Sequence, residues 1–255
     1  MRNIRLLSTV LLTTLAASLE LSTDAKAQEI PPPLPLCGPR TVALMSDFED
    51  GEAASAEAWA GLYIFNDGTG VQLPADPLDV VVEGGPGRSR FMAYTVGDDF
   101  TEWGSGLGMT LGCAYDVRRF EGVRFAVQAG GAGSFRFEVL TLPTTPVEFG
   151  GECAEGCNDH YSETFSLPKE EWYECSVRFA DLAQVGFGAP VPLDLSSVHG
   201  VQYNFTLDDM PFDLAVDEIS FEKKVKKTGC VRLQTDNSCG GKKHKHRQKR
   251  GPKLR

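Results

Sequence analysis

Beyond its first 27 residues the chain has no apolar run long enough to cross a bilayer as a helix, which takes roughly 20 residues. It has no CxxC pair, and although His160 lies near Cys157 we disfavour a zinc site. It has no GxSxG, and neither a helix nor a lysine follows the GxGxG of "WGSGLGMTL". We expect no transmembrane helix, nucleophile elbow or phosphate-binding loop, and interpret these glycines as turns in a β-rich stretch.

The first 27 residues have the features of a cleaved signal peptide. Arg2 and Arg5 form a positive start, residues 6–19 are mainly apolar, and 25–27 is a small-x-small cleavage pattern. A retained membrane anchor is the alternative. No second hydrophobic segment follows, so we expect a soluble mature chain that is secreted or lies in the periplasm or extracellular space.

Export to an oxidising compartment permits disulfides, but the number of cysteines is odd, so they cannot all pair within one chain. An odd number of cysteines leaves at least one thiol free or paired between chains. Cys37 and Cys230 could tie the two ends of the fold together. Cys157 or Cys175 with His160 could form a thiol nucleophile, but we interpret neighbouring cysteines in an exported chain as a bridge. The seven cysteines are Cys37, Cys113, Cys153, Cys157, Cys175, Cys230 and Cys239.

Charge divides the chain into an acidic body and a basic tail. Residues 28–222 hold 32 acidic and 9 basic side chains, whereas residues 223–255 hold 13 basic and one acidic. We predict that this low-complexity tail is disordered beyond Cys230 or Cys239, because it has too few apolar residues to form a core. It could tether the protein to an anionic polymer or envelope surface, fold back on the acidic body, or have no partner. Export argues against nucleic acid.

Residues 41–222 predict an all-β domain, preceded by a proline-rich lead at 28–40 that cannot be helical. Short alternating runs recur between Gly, Pro, Asp and Asn, without βαβ spacing or an internal repeat. Helical periodicity appears only at 53–60 and around 180–183. We expect a single antiparallel sandwich. The predicted strands are 41–46, 61–65, 79–83, 90–95, 106–111, 122–128, 134–140, 162–167, 172–179, 200–206 and 212–221.

The alternation also predicts a polar sheet face. Its side chains offer both donors and acceptors, as hydroxyl-bearing ligands require, and one tryptophan could stack on a sugar ring. The alternative is an ordinary solvated face. The candidate ligand residues are Arg124, Gln128, Arg136, Glu138, Trp172, Gln202 and Asn204.

A cluster of carboxylate side chains follows the first predicted strand. If the first and last strands lie side by side, Asp47 and Glu49 would meet Asp217, and Ca²⁺ takes 6–8 oxygen ligands of this kind. The alternative is a set of solvent-facing turn residues. With 32 acidic residues in the body, chance pairs are too many for a catalytic carboxylate pair to be identified.

Several segments carry a family resemblance when they are taken in order: "DFEDG", "YIFNDGTG", "YTVGDDFTEWGSGLGMTL", "FEGVRFAVQAGG", "CNDHYSETFSLPKEEWYECSVRFADLAQVGFG", "GVQYNF" and "FDLAVDEISF". Together they resemble the carbohydrate-binding-module-like jelly rolls of secreted bacterial proteins, in the galactose-binding-like superfamily. The resemblance covers nearly all of 41–222. It implies a two-sheet jelly roll that binds polysaccharide without cleaving it.

The resemblance also implies site residues. It places a structural calcium ion on Glu49 and Asp217, with Asp47 a weaker candidate, and it pairs Cys153 with Cys157. We expect the chain to depart from the family in two ways: Ala215 stands where related last strands carry an aromatic residue, and we expect no attached catalytic domain.

We therefore expect an exported, non-catalytic, calcium-stabilised sandwich that binds carbohydrate or another extracellular polymer. One alternative is an envelope or matrix structural protein that does not bind sugar. The other is a glycoside hydrolase or polysaccharide lyase of unrecognised type.

Overall fold

A computed structural model of the protein describes residues 32–53, 60–131 and 133–234. Within these ranges no helix is both long and apolar enough to cross a membrane. The strands are β1 Leu36–Pro39, β2 Leu44–Ser46, β3 Ala60–Asn66, β4 Val71–Leu73, β5 Val81–Glu83, β6 Phe91–Asp98, β7 Ser105–Asp116, β8 Gly122–Gly131, β9 Ser134–Thr141, β10 Tyr161–Ser166, β11 Tyr173–Arg178, β12 Val198–Phe205, β13 Phe212–Glu222 and β14 Gly229–Arg232. Short 3₁₀ helices are Pro77–Asp79, Leu142–Thr144, Val147–Phe149, Phe179–Asp181 and Leu207–Asp209.

Two sheets form a β-sandwich. The front sheet has the order β3-β7-β12-β9-β10, and β1 pairs with the other end of β7. The back sheet has the order β14-β11-β8-β13-β6-β4, with β2 on β13 and β5 on β6. All these pairings are antiparallel except that of β1 with β7. The all-β two-sheet prediction is confirmed.

Aromatic side chains from both sheets form the core. Phe125 of the back sheet stacks on Phe137 of the front sheet, with ring centroids 4.8 Å apart, and meets Tyr203 edge-on at 5.2 Å. All three are at most 1 % exposed. Because side chains alternate along a strand, burying Phe137 and Tyr203 turns their neighbours in sequence to the outside.

All eleven predicted strands are confirmed, but the sandwich extends beyond the predicted bounds 41 and 222. β1 lies in the proline-rich lead, where it runs parallel to β7. β14 lies in the segment assigned to the basic tail and pairs with β11. The three-residue β4 was too short to give an alternating pattern. The predicted signal peptide at 1–27, most of the helical pattern at 53–60, and the tail beyond 234 lie outside the described residues.

Three disulfides staple the described part of the chain: Cys37–Cys113, Cys153–Cys157 and Cys175–Cys230. The predicted Cys153–Cys157 pair is confirmed. The predicted Cys37–Cys230 pair is wrong, because Cys230 lies opposite Cys175 in the back sheet whereas Cys37 lies beside β7 in the front sheet. Cys239 lies outside the described residues.

The first and last predicted strands are neighbours, as expected. β2 pairs with β13 at Ser46↔Ile219 and Leu44↔Ser220. The register is interrupted between Asp217 and Ser220, and Glu218 has a positive φ of 50°. This irregularity brings β13 close to the acidic turn that follows β2.

Candidate functional site

The outward side of the front sheet, called the front face here, presents two rows of side chains. Strand register sets Tyr63, Gly108, Gln202, Glu138 and Ser162 across β3, β7, β12, β9 and β10. The adjacent row holds Phe65, Gly106, Asn204, Arg136 and Thr164. The front face therefore has an aromatic half, on β3 and β7, and a polar half.

Two glycines allow the aromatic rings to lie flat on the sheet. A Cβ atom on Gly108 would come within 2.1 Å of the Tyr63 ring, and one on Gly106 within 2.3 Å of the Phe65 ring. Both glycines lie inside β7, so their interpretation as turn residues is wrong. Phe65 in turn stacks against Trp103, with centroids 6.2 Å apart and an interplanar angle of 18°. These three rings form the aromatic strip.

One carboxylate holds the loop that carries Trp103. Oδ2 of Asp67 accepts hydrogen bonds from the backbone N–H groups of Glu102 (3.1 Å), Trp103 (3.0 Å) and Gly104 (2.9 Å). Trp103 is nevertheless 50 % exposed. The Asp67 carboxylate thus fixes the backbone of the loop, while the indole ring of Trp103 remains exposed to solvent.

A continuous hydrogen-bond network fills the centre of the front face. Tyr63 donates its hydroxyl to Oε1 of Gln202 at 2.8 Å, and Gln202 donates its amide to Glu138. Nε of Arg136 donates to Oε1 of Glu138 at 2.6 Å. Burial raises the pKa of Glu138, while the Arg136 charge and the donated hydrogen bonds lower it. The network fixes these side chains in place, and an Arg–Glu ion pair lies at its centre.

Asn204, on the front face, has a buried side-chain acceptor that no described residue pairs with. Its Oδ1 atom is buried and has no hydrogen-bond partner, and the whole residue is only 9 % exposed. A buried acceptor left unpaired costs free energy, about 1–3 kcal/mol. Asn204 lies next to Arg136 on β9 and Gly106 on β7. A hydroxyl group that entered the front face here would satisfy it.

Carboxylates are scarce on the described strands of the front face. Along the five described strands, the one carboxylate at an outward position is Glu138, and both of its oxygens accept hydrogen bonds. Glycoside hydrolysis commonly needs two carboxyl groups, about 5–5.5 Å or 6.5–9.5 Å apart.

The predicted single ligand face is wrong. Arg136, Glu138, Gln202 and Asn204 do share the front face, but Arg124 and Gln128 belong to β8 of the back sheet, and Trp172 precedes β11 there. Arg124 is paired with Glu174 at 2.9 Å. Alternation identifies the outward residues of a strand but not the sheet that contains it, which explains the error.

The prediction also missed the aromatic strip. Its signal was present in the sequence, since Tyr63 and Phe65 alternate in one strand and Gly106 and Gly108 alternate in another. This pattern can be interpreted as an aromatic strip only when β3 and β7 are known to be neighbours.

The acidic turn after β2 meets β13 through the loop that joins β5 and β6. Oε1 of Glu49 accepts hydrogen bonds from the Ser89 hydroxyl (2.8 Å) and the Arg90 backbone N–H (2.7 Å), and Oε2 accepts from Nε of Arg90 (3.0 Å). The Arg90 backbone N–H and then the Ser89 hydroxyl lower the pKa of Glu49 to about 2. Glu49 is therefore ionised at neutral pH.

Asp217, on β13, adjoins the same serine but is incompletely paired. Its Oδ1 accepts the Glu218 backbone N–H at 2.7 Å, and its buried Oδ2 has no hydrogen-bond partner among the residues that the structure describes. Burial raises the pKa of Asp217 to about 6, whereas the nearby Ser89 hydroxyl and the Glu218 N–H lower it. A Cβ on Gly85 would lie 2.7 Å from Ser89 Oγ and 2.9 Å from Asp217 Oδ2, so only glycine permits this approach.

These groups fit part of a site for a hard cation. An orphaned, buried carboxylate oxygen beside an ionised carboxylate is the type of environment that a cation would stabilise. Asp47 instead accepts the Glu49 N–H at 3.3 Å and lines a cavity of about 590 Å³ with Glu218 and Lys223. Across the described ranges no three His, Cys, Asp or Glu side chains gather as a metal site, so calcium stays a prediction.

Two buried histidines lie at the β10 end of the front sheet. Nδ1 of His160 is 2.8 Å from the Thr144 hydroxyl, and Nε2 of His199 is 2.7 Å from the Thr145 hydroxyl. Burial lowers the pKa of His160 to about 3 and that of His199 to about 4. Both imidazoles are therefore neutral in the folded protein, a pairing that the sequence did not indicate.

No family model and no curated protein matches this sequence. In structure the chain is similar to a family 11 carbohydrate-binding module from Clostridium thermocellum in complex with a β-1,3-1,4-mixed-linked tetrasaccharide, with 15 % identity, 71 % of this chain and 94 % of that chain covered, and a TM-score of 0.49. It is also similar to a family 30 carbohydrate-binding module (13 % identity, 78 % and 96 % covered, TM-score 0.46). A third similar structure is part of an exo-β-agarase, with 11 % identity and a TM-score of 0.45. The match covers 72 % of this chain and 25 % of the agarase chain.

The two modules are of the class that the sequence resemblance predicted. At these scores the likeness does not bear on the ligand, which has to be argued from the residues of this chain.

The histidine pair predicts a loss of stability in acid. Unfolded histidines titrate near 6.5, whereas the folded ones stay neutral to about pH 4. As the pH falls below 6.5 the unfolded state binds more protons, so the free energy of unfolding decreases by about 1.4 kcal/mol per pH unit for each histidine. Urea unfolding between pH 7 and pH 4 measures this slope.

The matched variant is His160→Asn/His199→Gln, in which the amides replace the bonded ring nitrogens. It should flatten the pH dependence relative to the wild type. Asp217, whose folded pKa is raised, acts in the opposite direction in both proteins and cancels from the comparison. Equal slopes in the two proteins would contradict the assignment of neutral buried histidines.

Proposed function

We propose that this protein is an exported, non-catalytic β-sandwich that binds polysaccharide on its front face. The observation that carries the proposal is the unpaired, buried Oδ1 of Asn204 beside an aromatic strip in which Tyr63 and Phe65 are half-buried and Trp103 is exposed. A pyranose ring offers C–H faces that stack on aromatic rings and hydroxyl groups that donate to such an acceptor. Both features lie on the same face, since Gly106 of β7 pairs with Asn204 on one side and with Phe65 on the other.

The charge of the front face favours an uncharged polysaccharide. Along the five described strands, Arg136 is the one cation at an outward position, and Glu138 neutralises it. The surrounding body, with 32 acidic and 9 basic side chains over residues 28–222, repels polyanions. Uronate or sulfated chains would find no unpaired cation on these strands.

The proposal retains export and a role for the basic tail. Three disulfides are consistent with an oxidising compartment. The residues beyond 234 include eight Lys or Arg and one Asp, a composition that suits a tether to an anionic polymer or envelope surface. In this arrangement the sandwich holds a neutral glycan while the tail holds a polyanion.

A calcium ion completes the proposal. Glu49 and Asp217 would supply carboxylate oxygens, and the remaining ligands would be backbone carbonyls and water. The ion would offset the buried charge of Asp217 and hold the turn after β2 against β13. The ion would have a structural role and no catalytic one.

Glycan binding is tested with a panel of polysaccharides and titration calorimetry on the full chain, on Asn204→Ala and on Trp103→Ala. We expect binding of an uncharged polysaccharide, weakened roughly threefold to tenfold in each variant. Gln128→Ala, on the back sheet, is the matched control and should bind like the wild type. Deleting the residues beyond 234 should leave glycan binding intact.

Two other outcomes identify the alternatives. Binding that disappears with the tail, or no binding to any glycan, favours a structural role in the envelope or matrix. Release of reducing sugar by the full chain indicates an enzyme, and the non-catalytic proposal is then wrong.

The calcium proposal predicts a metal-dependent melting temperature. Excess Ca²⁺ should raise Tm by about 5 °C over the same protein in EDTA, because it binds only the folded state. Asp217→Asn should abolish this rise, since it removes the charge that the ion neutralises, while Asp47→Asn should keep most of it. Differential scanning calorimetry measures both. A full calcium response in Asp217→Asn would refute the assignment.

A further inference from the structure

A second exposed apolar loop flanks the opposite edge of the front face. Beyond β10, Ala183 forms an antiparallel bridge with Ser162, a residue of the row that contains Glu138. The chain then continues through residues 184–191, the edge loop. In this loop Val185 is 58 % exposed and Phe187 is 63 % exposed.

A buried carboxylate anchors the edge loop. Asp159, which is 1 % exposed, accepts the backbone N–H groups of Val185 (2.9 Å), Gly186 (2.8 Å) and Gly188 (3.1 Å). Gly186 has a φ of 101°, a conformation that favours glycine. No atom lies within 4 Å of the position that a Cβ on Gly186 would occupy, so close packing does not require glycine there. The backbone conformation of the turn does.

Further bonds tie the edge loop to its neighbours. The Gln184 amide donates to the carbonyls of Asp159 (2.8 Å) and Ala189 (3.1 Å), and its oxygen accepts the Val191 N–H at 2.9 Å. Ala189 also donates to the Gly156 carbonyl at 2.8 Å, next to the Cys153–Cys157 disulfide. The loop is thus held in one conformation while its largest side chain remains in solvent.

The same construction occurs at the other edge of the sheet. There Asp67 accepts three backbone N–H groups of the loop that presents Trp103. In both places a single carboxylate fixes a loop whose exposed ring contributes nothing to the core. Pre-ordering of an exposed apolar side chain lowers the entropic cost of a later contact, and is favourable where that contact is with a ligand.

The edge loop is also electrostatically close to the centre of the front face. The charge of Asp159 acts on both Glu138 and His160, so the loop's anchor lies near the polar network. Four strand gaps separate β3 from β10, which at about 4.8 Å each makes the front face about 19 Å wide. Trp103 lies just before β7, whereas Asp159, which anchors the edge loop, lies just before β10, at the opposite end of the strands. A ligand that met both exposed rings would therefore run diagonally across the front face.

We infer that the edge loop is a second contact site for the same polysaccharide, with Phe187 stacking on a sugar ring at the end of the front face remote from Trp103. The inference rests on the proposed function. It adds that the polymer runs diagonally across the strands and that only chains long enough to reach both exposed rings bind with full affinity.

The experiment measures affinity against oligosaccharide length for the full chain and for Phe187→Ala. Its ligands are a series of increasing length cut from the polysaccharide that the full chain binds. Short oligosaccharides should bind both proteins equally, and the longest should bind Phe187→Ala about threefold to tenfold more weakly. Phe187→Tyr should restore the affinity, because it keeps the ring. Val231→Ala, at a 70 % exposed position on β14 of the back sheet, is the control.

The outcomes separate the two proposals. If the full chain binds long oligosaccharides and Phe187→Ala binds them equally well, the second contact site is wrong while the front-face proposal stands. An equal loss for short and long oligosaccharides would also overturn it, since it would indicate general damage. If the full chain binds no glycan, the proposed function itself has failed. Circular dichroism and melting temperatures establish that Phe187→Ala is folded.

Discussion

The two-residue period of β9 and β12 is the constraint on which this structure depends. Burying Phe137 and Tyr203 between the sheets leaves Glu138 and Gln202 no direction but outward. The same geometry that builds the core therefore builds the front face. A slip of one residue would move the Arg136–Glu138 pair into the core, so the register of this face is as strongly specified as the core.

Acidic residues have a structural use that the net charge of the body conceals. Asp67 and Asp159 each accept three backbone N–H groups and order a loop around them. Glu49 receives the Arg90 N–H in a similar way. Because a carboxylate can accept several hydrogen bonds, such residues can replace secondary structure in organising loops at the ends of a sandwich. Asp217 is the exception, since one of its oxygens has no partner.

Alternation and turn residues were sufficient to predict the sandwich, eleven of the fourteen described strands and the adjacency of β2 and β13. They could not predict β1 or β14, because the first lies among prolines and the second among lysines, and both depend on pairing with distant strands. For the candidate site, alternation predicted that Arg136, Glu138, Gln202 and Asn204 share one face, as they do, and their role in ligand binding stays a prediction. Arg124 and Gln128 were misplaced because no local pattern tells one sheet from the other. The glycine-supported rings of Tyr63 and Phe65 depend on the pairing of β3 with β7, which the sequence does not encode locally.

The central claim, that an uncharged glycan lies across the front face, is tested most directly by mapping NMR chemical-shift changes as an oligosaccharide is added to the folded protein. The account predicts that the largest changes fall on the Asn204 side-chain amide, the Trp103 indole N–H and the backbone of β12. Changes confined to the back sheet around Arg124, with those signals unmoved, would contradict it.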